Sequence, residues 1–252
     1  RCSSARGSLD ITEQSRSNLH CHKLDLGSFD SIHNFMSDIK NTYLEPNSTG
    51  EKRRYVSTLI NNAGIMAPPY GTTTESFETQ VGTNHLGHFL LTGLVLKEMN
   101  NMENPRIVVH SSTASIGAFK EFPTGYTWNQ SDKHINKKYD AWVEYGNSKR
   151  ANYYFAWEMQ KRLAANSAYS NVSIVAVQPG YTATNLQRDR IPGWEMMNEY
   201  LAMNVFAGAQ PQLVGATTQD ERILHPDQPS LLGPEYAMFG APTIQGSGLY
   251  TL

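Results

Sequence analysis

Short runs rich in β-branched residues alternate with long stretches of helical period, and this rhythm constrains the fold more than any other feature of the chain. Leu19 to Leu26 (LHCHKLDL) alternates weakly and predicts a strand. Ser28 is placed to cap a following helix whose Phe29, Ile32, Phe35, Met36 and Ile39 form one apolar stripe. Asn47 to Arg54 is polar and turn-rich, the pattern of a surface loop. Tyr55 to Ile60 predicts a second strand, Arg106 to His110 a third and Asn171 to Val177 a fourth. Helical patterning fills Thr74 to Met99, and Tyr139 to Asn166 reads as one long helix. Such alternation implies βαβ units and a parallel sheet with both faces covered. The expected class is therefore α/β, a doubly wound parallel sheet. With no internal repeat or linker, residues 1–252 read as one domain.

Composition excludes several classes. A net charge of −2 gives no electrostatic case for nucleic acid or an anionic membrane. The longest apolar run, near Phe89 to Leu96, is too short to span a bilayer. Two cysteines, Cys2 and Cys21, make no disulfide framework, so a reducing, cytoplasmic setting is the default expectation. No metal-ligand spacing stands out.

In open α/β sheets, ligands bind outside the carboxyl ends of the strands. The unusual residues of this chain fall at those ends: Asn62 to Gly64, Ser111-Ser112 and Pro179-Gly180. Tyr145 and Lys149 lie four apart in a helical stretch and so share one face. A free phenol titrates near ~10, too high for proton transfer at neutral pH, and a nearby ammonium favours the phenolate. Each feature also has a bland reading. Tyr145 and Lys149 suit an exposed helix pair, Ser112 a cap, Asn84 a satisfied core amide, and Asn-Ala-Gly an ordinary turn. Their order and common location favour a site.

Taken together, Asn61-Asn62-Ala63-Gly64, GTNHLGHFLLT, IVVHSS, YGNSKRAN and QPGYTATNL resemble the short-chain dehydrogenase/reductase superfamily. Within it the chain is most similar to the retinol dehydrogenase and WW-domain oxidoreductase-like branch, from about Leu24 to Tyr250. The resemblance implies a Rossmann-like fold and hydride transfer between NAD(P)(H) and a carbonyl or alcohol. It implies Tyr145 as the acid-base group and Lys149 as the cation that lowers its pKa and holds the nicotinamide ribose. Ser112 would orient the substrate oxygen, and Asn84 would support a proton relay through water. Asp25 would meet the adenine. Asn62, Ala63 and Gly64 would line the cofactor, while Pro179, Gly180 and Thr184 would hold its nicotinamide end.

Two departures stand out. The family's glycine-rich turn, which receives the pyrophosphate at a helix N-terminus, is absent. The expectation is that a strand-turn-helix unit precedes Arg1 in the parent protein, and that the strand ending at Asn62 has an unpaired edge without it. Cofactor choice then leans to NADP on Arg1 alone. The second departure is the long interval between Ser112 and Tyr145. Its aromatic, polar run (residues 118–142) reads either as a border of the substrate mouth or as a surface excursion.

Trp194, Met196, Met197, Tyr200, Leu201, Met203 and Phe206 follow Thr184. They suit an apolar lid over a lipophilic substrate, or a helix packing its stripe on the core. Homo-oligomers are common in the family, and membrane attachment through a preceding segment stays open. Two other functions compete. A non-catalytic dinucleotide-binding or scaffold protein fits the absent glycine turn. A protochlorophyllide reductase-like enzyme shares the Tyr-x-x-x-Lys pair, but YGNSKRAN has no cysteine closely after Lys149.

Overall fold

The computed structural model describes residues 12–46, 55–99, 102–117, 139–186, 193–200, 202–224, 230–233 and 249–251. Among them a sheet runs in the order β1 (Thr58–Asn61), β2 (Arg106–His110), β3 (Ser173–Val177), β4 (Ser230–Leu232), β5 (Leu249–Thr251). The first four strands are parallel, and β5 closes the order antiparallel to β4. The last two strands are too short and too sparsely patterned to be read from the chain's rhythm.

The helices are α1 (Glu13–Ser17), α2 (Phe29–Ile39), α3 (Thr79–Val81), α4 (Gly87–Leu96), α5 (Ala141–Ala164), α6 (Trp194–Tyr200), α7 (Val205–Thr217) and α8 (Glu221–Leu224). Ser28 caps α2 by accepting from the Ser31 amide, and the buried members of the expected stripe are Ile32 and Met36. Asp140 caps α5 by accepting from the Trp142 and Val143 amides. Glu144 in its first turn and Lys161 and Arg162 in its last complement the helix dipole.

Every residue of β2 and β3 is buried, as a parallel sheet covered on both faces requires. On one face Ile107, Val109, Ile174 and Ala176 pack with Leu91 and Val95 of α4 and Tyr153, Ala156 and Leu163 of α5. On the other, Val108, Val175 and Val177 meet Ile223 and Leu224 of α8. Gly215 brings α7 down on this second face, where an added Cβ would lie 3.2 Å from Val177 Cγ1.

Three expectations change. Leu19 to Leu26 forms no strand: Leu24 and Leu26 do turn inward, but the segment pairs with no strand among the described residues. Alternation selects which side chains face inward, whereas a ladder needs a partner. The helical stretch from Thr74 to Met99 is interrupted, with Gly82–Leu86 forming a π turn between α3 and α4. The two cysteines were read as making no disulfide framework, yet Cys21 is disulfide-bonded. The expected open edge of β1 is present: it pairs with β2 alone among the described residues, and Ile60 is 40% exposed. The predicted loop at 47–54 and most of the run at 118–142 lie outside the described residues. No helix among the described residues is long and apolar enough to cross a membrane.

Candidate active site

The carboxyl ends of the parallel strands share one edge, which gathers the segments after Asn61, His110 and Val177. The π turn faces them. Extra-wide turns inside helices re-aim side chains, often at functional sites. Here the turn buries Asn84, whose Oδ1 accepts from the Ile65 amide at 2.9 Å. Its Nδ2 donates to the Ile65 carbonyl at 3.0 Å and to Ser148 Oγ at 2.9 Å. Asn84 thus clamps the loop after β1 to α5. Both amide hydrogens are engaged by protein atoms, so in this arrangement the Asn84 side chain is a structural tie.

The two serines after β2 divide their work. Ser112 hydrogen-bonds the Tyr145 hydroxyl and accepts from the Ala114 amide at 3.2 Å. Ser111 donates to the Lys149 main-chain carbonyl at 2.7 Å, fixing α5 against the strand end. Tyr145 and Lys149 are 6% and 4% exposed. Lys149 Nζ donates to the His110 carbonyl at 3.3 Å and lies 5.8 Å from the centre of the Tyr145 ring. One helical turn therefore presents a phenol to a serine and an ammonium to a strand-end carbonyl, as the four-residue spacing predicts.

The electrostatics differ from the expectation that Lys149 lowers the pKa of Tyr145. Burial pushes the phenol above its ordinary value, and the Ser112 hydrogen bond only partly opposes this. Burial also lowers Lys149 to about 8. Removing both groups from water disfavours both charged forms. Two buried histidines border the pair and stay neutral: burial takes His88 down to about 4 and His110 to about 3.

Gly64 lies directly against the pair: a Cβ there would sit 3.1 Å from Asn84 Oδ1 and 3.3 Å from Lys149 Nζ. Its bare backbone gives a ligand a close approach to the ammonium. Asn62 and Ala63 are exposed beside it, and Asn62 Oδ1 accepts from Gln212 Nε2 of α7 at 2.6 Å. After β3, Gly180 takes a positive φ of 65°, with its amide donating to Gln178 Oε1 at 2.6 Å. Thr182 Oγ1 donates to the Pro179 carbonyl at 2.9 Å, while Thr184 is exposed. These small, turned strand ends are compatible with a dinucleotide lying across the sheet edge. Asp25 stands apart from the Tyr145 cluster. It is exposed, and its Oδ1 accepts from the Gly27 amide at 2.9 Å in a turn that packs near Thr83. Arg1 lies outside the described residues.

Ser111, His110, Ser148 and Asn152 lie within the quoted motifs but were given no role there, and Gln212 lies outside them. The available signal was polarity on the wrong face. Glu144, Asn147, Ser148, Lys149, Asn152 and Gln160 are all buried on one helix, whereas Glu158, Lys161 and Arg162 are exposed.

The segment expected as a lid returns to the strand ends. The Ala183 amide donates to the Met203 carbonyl, and the Met203 amide to the Tyr181 carbonyl, both at 2.9 Å. Met196 and Tyr200 are exposed and Phe206 is 82% exposed, so these three do not form a stripe packed on the core.

Comparison with known proteins points to one family. A family model described as short chain dehydrogenase matches residues 5–127. Retinol dehydrogenase 12 of Mus musculus is 34% identical over 201 residues, covering 79% of this chain and 56% of the relative. Short-chain dehydrogenase TIC 32 A, chloroplastic, of Brassica napus is 32% identical over 225 residues, covering 87% of this chain and 63% of the relative. The chain thus spans between half and two thirds of the length of these relatives. A crystal structure of an uncharacterised protein from Mycobacterium paratuberculosis superposes with a TM-score of 0.58 at 31% identity, covering 86% of this chain and 63% of that one.

Proposed function

The chain belongs to the short-chain dehydrogenase/reductase family, in its retinol dehydrogenase-like branch, and on that premise we propose that it interconverts a carbonyl and an alcohol with a nicotinamide dinucleotide. The observation that carries the proposal is the meeting of Ser112 and Tyr145 beside Lys149, with Gly64 lying against the ammonium at the carboxyl edge of the sheet.

The bound nicotinamide would supply or accept the hydride. The protein's own task is the proton. In the reductive direction Tyr145 gives its hydroxyl proton to the substrate oxygen, which Ser112 holds by a hydrogen bond. Its raised pKa keeps the phenol protonated and ready as an acid. Lys149 offers a cation close to the Gly64 backbone, suited to a ribose and to the phenolate that forms. Residues 1–252 act as one domain in this reading.

The substrate we propose is lipophilic. The exposed Met196, Tyr200 and Phe206 lie on a segment tied by backbone bonds to the loop after β3, and flexible apolar side chains suit an apolar carbonyl. Between the two cofactors NADPH is tried first.

The test is a panel of aliphatic, aromatic and polyene aldehydes and ketones, each offered with NADPH and with NADH. Turnover that disappears in Tyr145→Phe, while cofactor binding persists, supports the proposal. A wild-type chain that binds neither dinucleotide and turns over no carbonyl refutes it.

A further inference from the structure

We infer that Asn152 is a positioning residue for the Lys149 ammonium, an inference that rests on the site proposed above. Asn152 lies on α5, three residues after Lys149, and is 1% exposed. Its Nδ2 donates to the Asn84 carbonyl at 2.9 Å and to the His110 carbonyl at 3.0 Å. Its Oδ1 faces His85 Nδ1 at 3.0 Å.

The two carbonyls fix the orientation of the amide, because each accepts one of its two hydrogens. The amide oxygen is therefore turned to His85, and His85 Nδ1 must carry a proton to meet it. Three elements are joined in this way: the π turn through Asn84, the end of β2 through His110, and α5 itself.

The His110 carbonyl is also the oxygen to which Lys149 Nζ donates. Its two lone pairs are divided between an amide and an ammonium. Sharing the acceptor weakens its hold on the ammonium, and the buried amide keeps water from taking its place. Both effects leave the charged form of Lys149 poorly stabilised. The titratable groups facing Lys149 are His110 from β2, His88 from α4 and Tyr145 on its own helix. None of these three is anionic near neutral pH, so the carbonyl is the principal acceptor that Asn152 can modulate.

Truncating Asn152 frees the second lone pair of the His110 carbonyl and opens room for water. Both changes favour the ammonium, so the Lys149 pKa rises. The experiment uses the cofactor-free chain labelled with 13C-lysine, with the Lys149 Cε signal identified by its loss in Lys149→Arg. In the wild type this signal titrates below the other lysines. In Asn152→Ala its midpoint moves up by about one pH unit, with native circular dichroism retained.

Asn152→Ser, which keeps one donor, shifts it less in the same direction. If Asn152→Ala does not fold, Asn152→Ser carries the test, together with His85→Phe, which preserves the ring packing but releases the amide oxygen. A folded Asn152 variant whose Lys149 midpoint stays at the wild-type value overturns the inference. So does a wild-type Lys149 that titrates with the other lysines. A purely structural role for Asn152 would lower the melting temperature and leave the midpoint alone. The titration needs no substrate, so a chain inactive on every carbonyl would refute the proposed function without touching this result.

Discussion

Gly64 and Lys149 stand so close that a Cβ on the glycine would lie 3.3 Å from the ammonium nitrogen. The contact joins the loop after β1 to the middle of α5, the two segments that carry the most specific motifs. It makes the glycine a steric requirement of the site. Gly64→Ala should be tolerated with a few tenths of an ångström of adjustment by the Lys149 and Asn84 side chains. Gly64→Val should cost about 1–3 kcal/mol of stability and displace Lys149. Thermal melts and fluorescence titration with NADPH should rank wild type first, alanine second and valine last.

Ser112→Ala should slow carbonyl reduction at least about tenfold, the scale of one lost hydrogen bond at a reacting group. The Ser112 bond lowers the Tyr145 pKa against the opposing effect of burial. Its loss should therefore move the alkaline limb of the reduction profile to higher pH. A profile of unchanged height and position would remove Ser112 from the proton-transfer step.

Lys149, held at about 8, loses its charge within an accessible range. Affinity for an anionic dinucleotide should weaken as pH rises through that value. The same titration in Lys149→Met should start weaker and stay flat. Parallel curves for the two proteins would show that another group carries the dependence.

The buried histidines predict acid sensitivity. His88 and His110 have folded-state values of about 4 and about 3, below the unfolded value of 6.5. Below pH 6.5 the unfolded chain binds protons that the folded chain refuses, so stability is complete above that pH and lost as pH falls. Each histidine contributes a slope of about 1.4 kcal/mol per pH unit between its two values. Urea midpoints between pH 7 and pH 4 should show the loss, and His110→Asn should reduce its slope.

Two glycines of α4 should respond oppositely to alanine. At Gly87 the new methyl runs into the Leu26 main-chain carbonyl, so the helix or the segment must move. At Gly93 it meets nothing within 4 Å. Gly87→Ala should destabilise by about 1–3 kcal/mol, whereas Gly93→Ala should stabilise by about 0.5–1 kcal/mol. Denaturant melts of the two variants give the comparison directly.

Much of this was legible in one dimension. The β-branched run Arg106 to His110 became β2 with the same bounds, and Ser28 capped the helix it precedes. Tyr145 and Lys149 met their expected neighbourhood because four residues make about one helical turn. Leu19 to Leu26 shows the boundary of that legibility. Its alternation predicted which side chains turn inward, but a strand also requires hydrogen bonds from another part of the chain. Asn84 shows it again: its residue type and place were evident, but not that Ile65 and Ser148 would engage its amide.

The order of residues was enough to set the α/β class and to put the reactive types at strand ends, because periods of two and near 3.6 are properties of a local backbone. It could not say that Ser111 would hold the Lys149 main-chain carbonyl, nor that Asn152 and Lys149 would share one carbonyl. Nor could it give the direction in which Tyr145 is shifted. Those outcomes depend on which distant groups meet and how far water is excluded where they do, and both arise only when the helices close over the sheet.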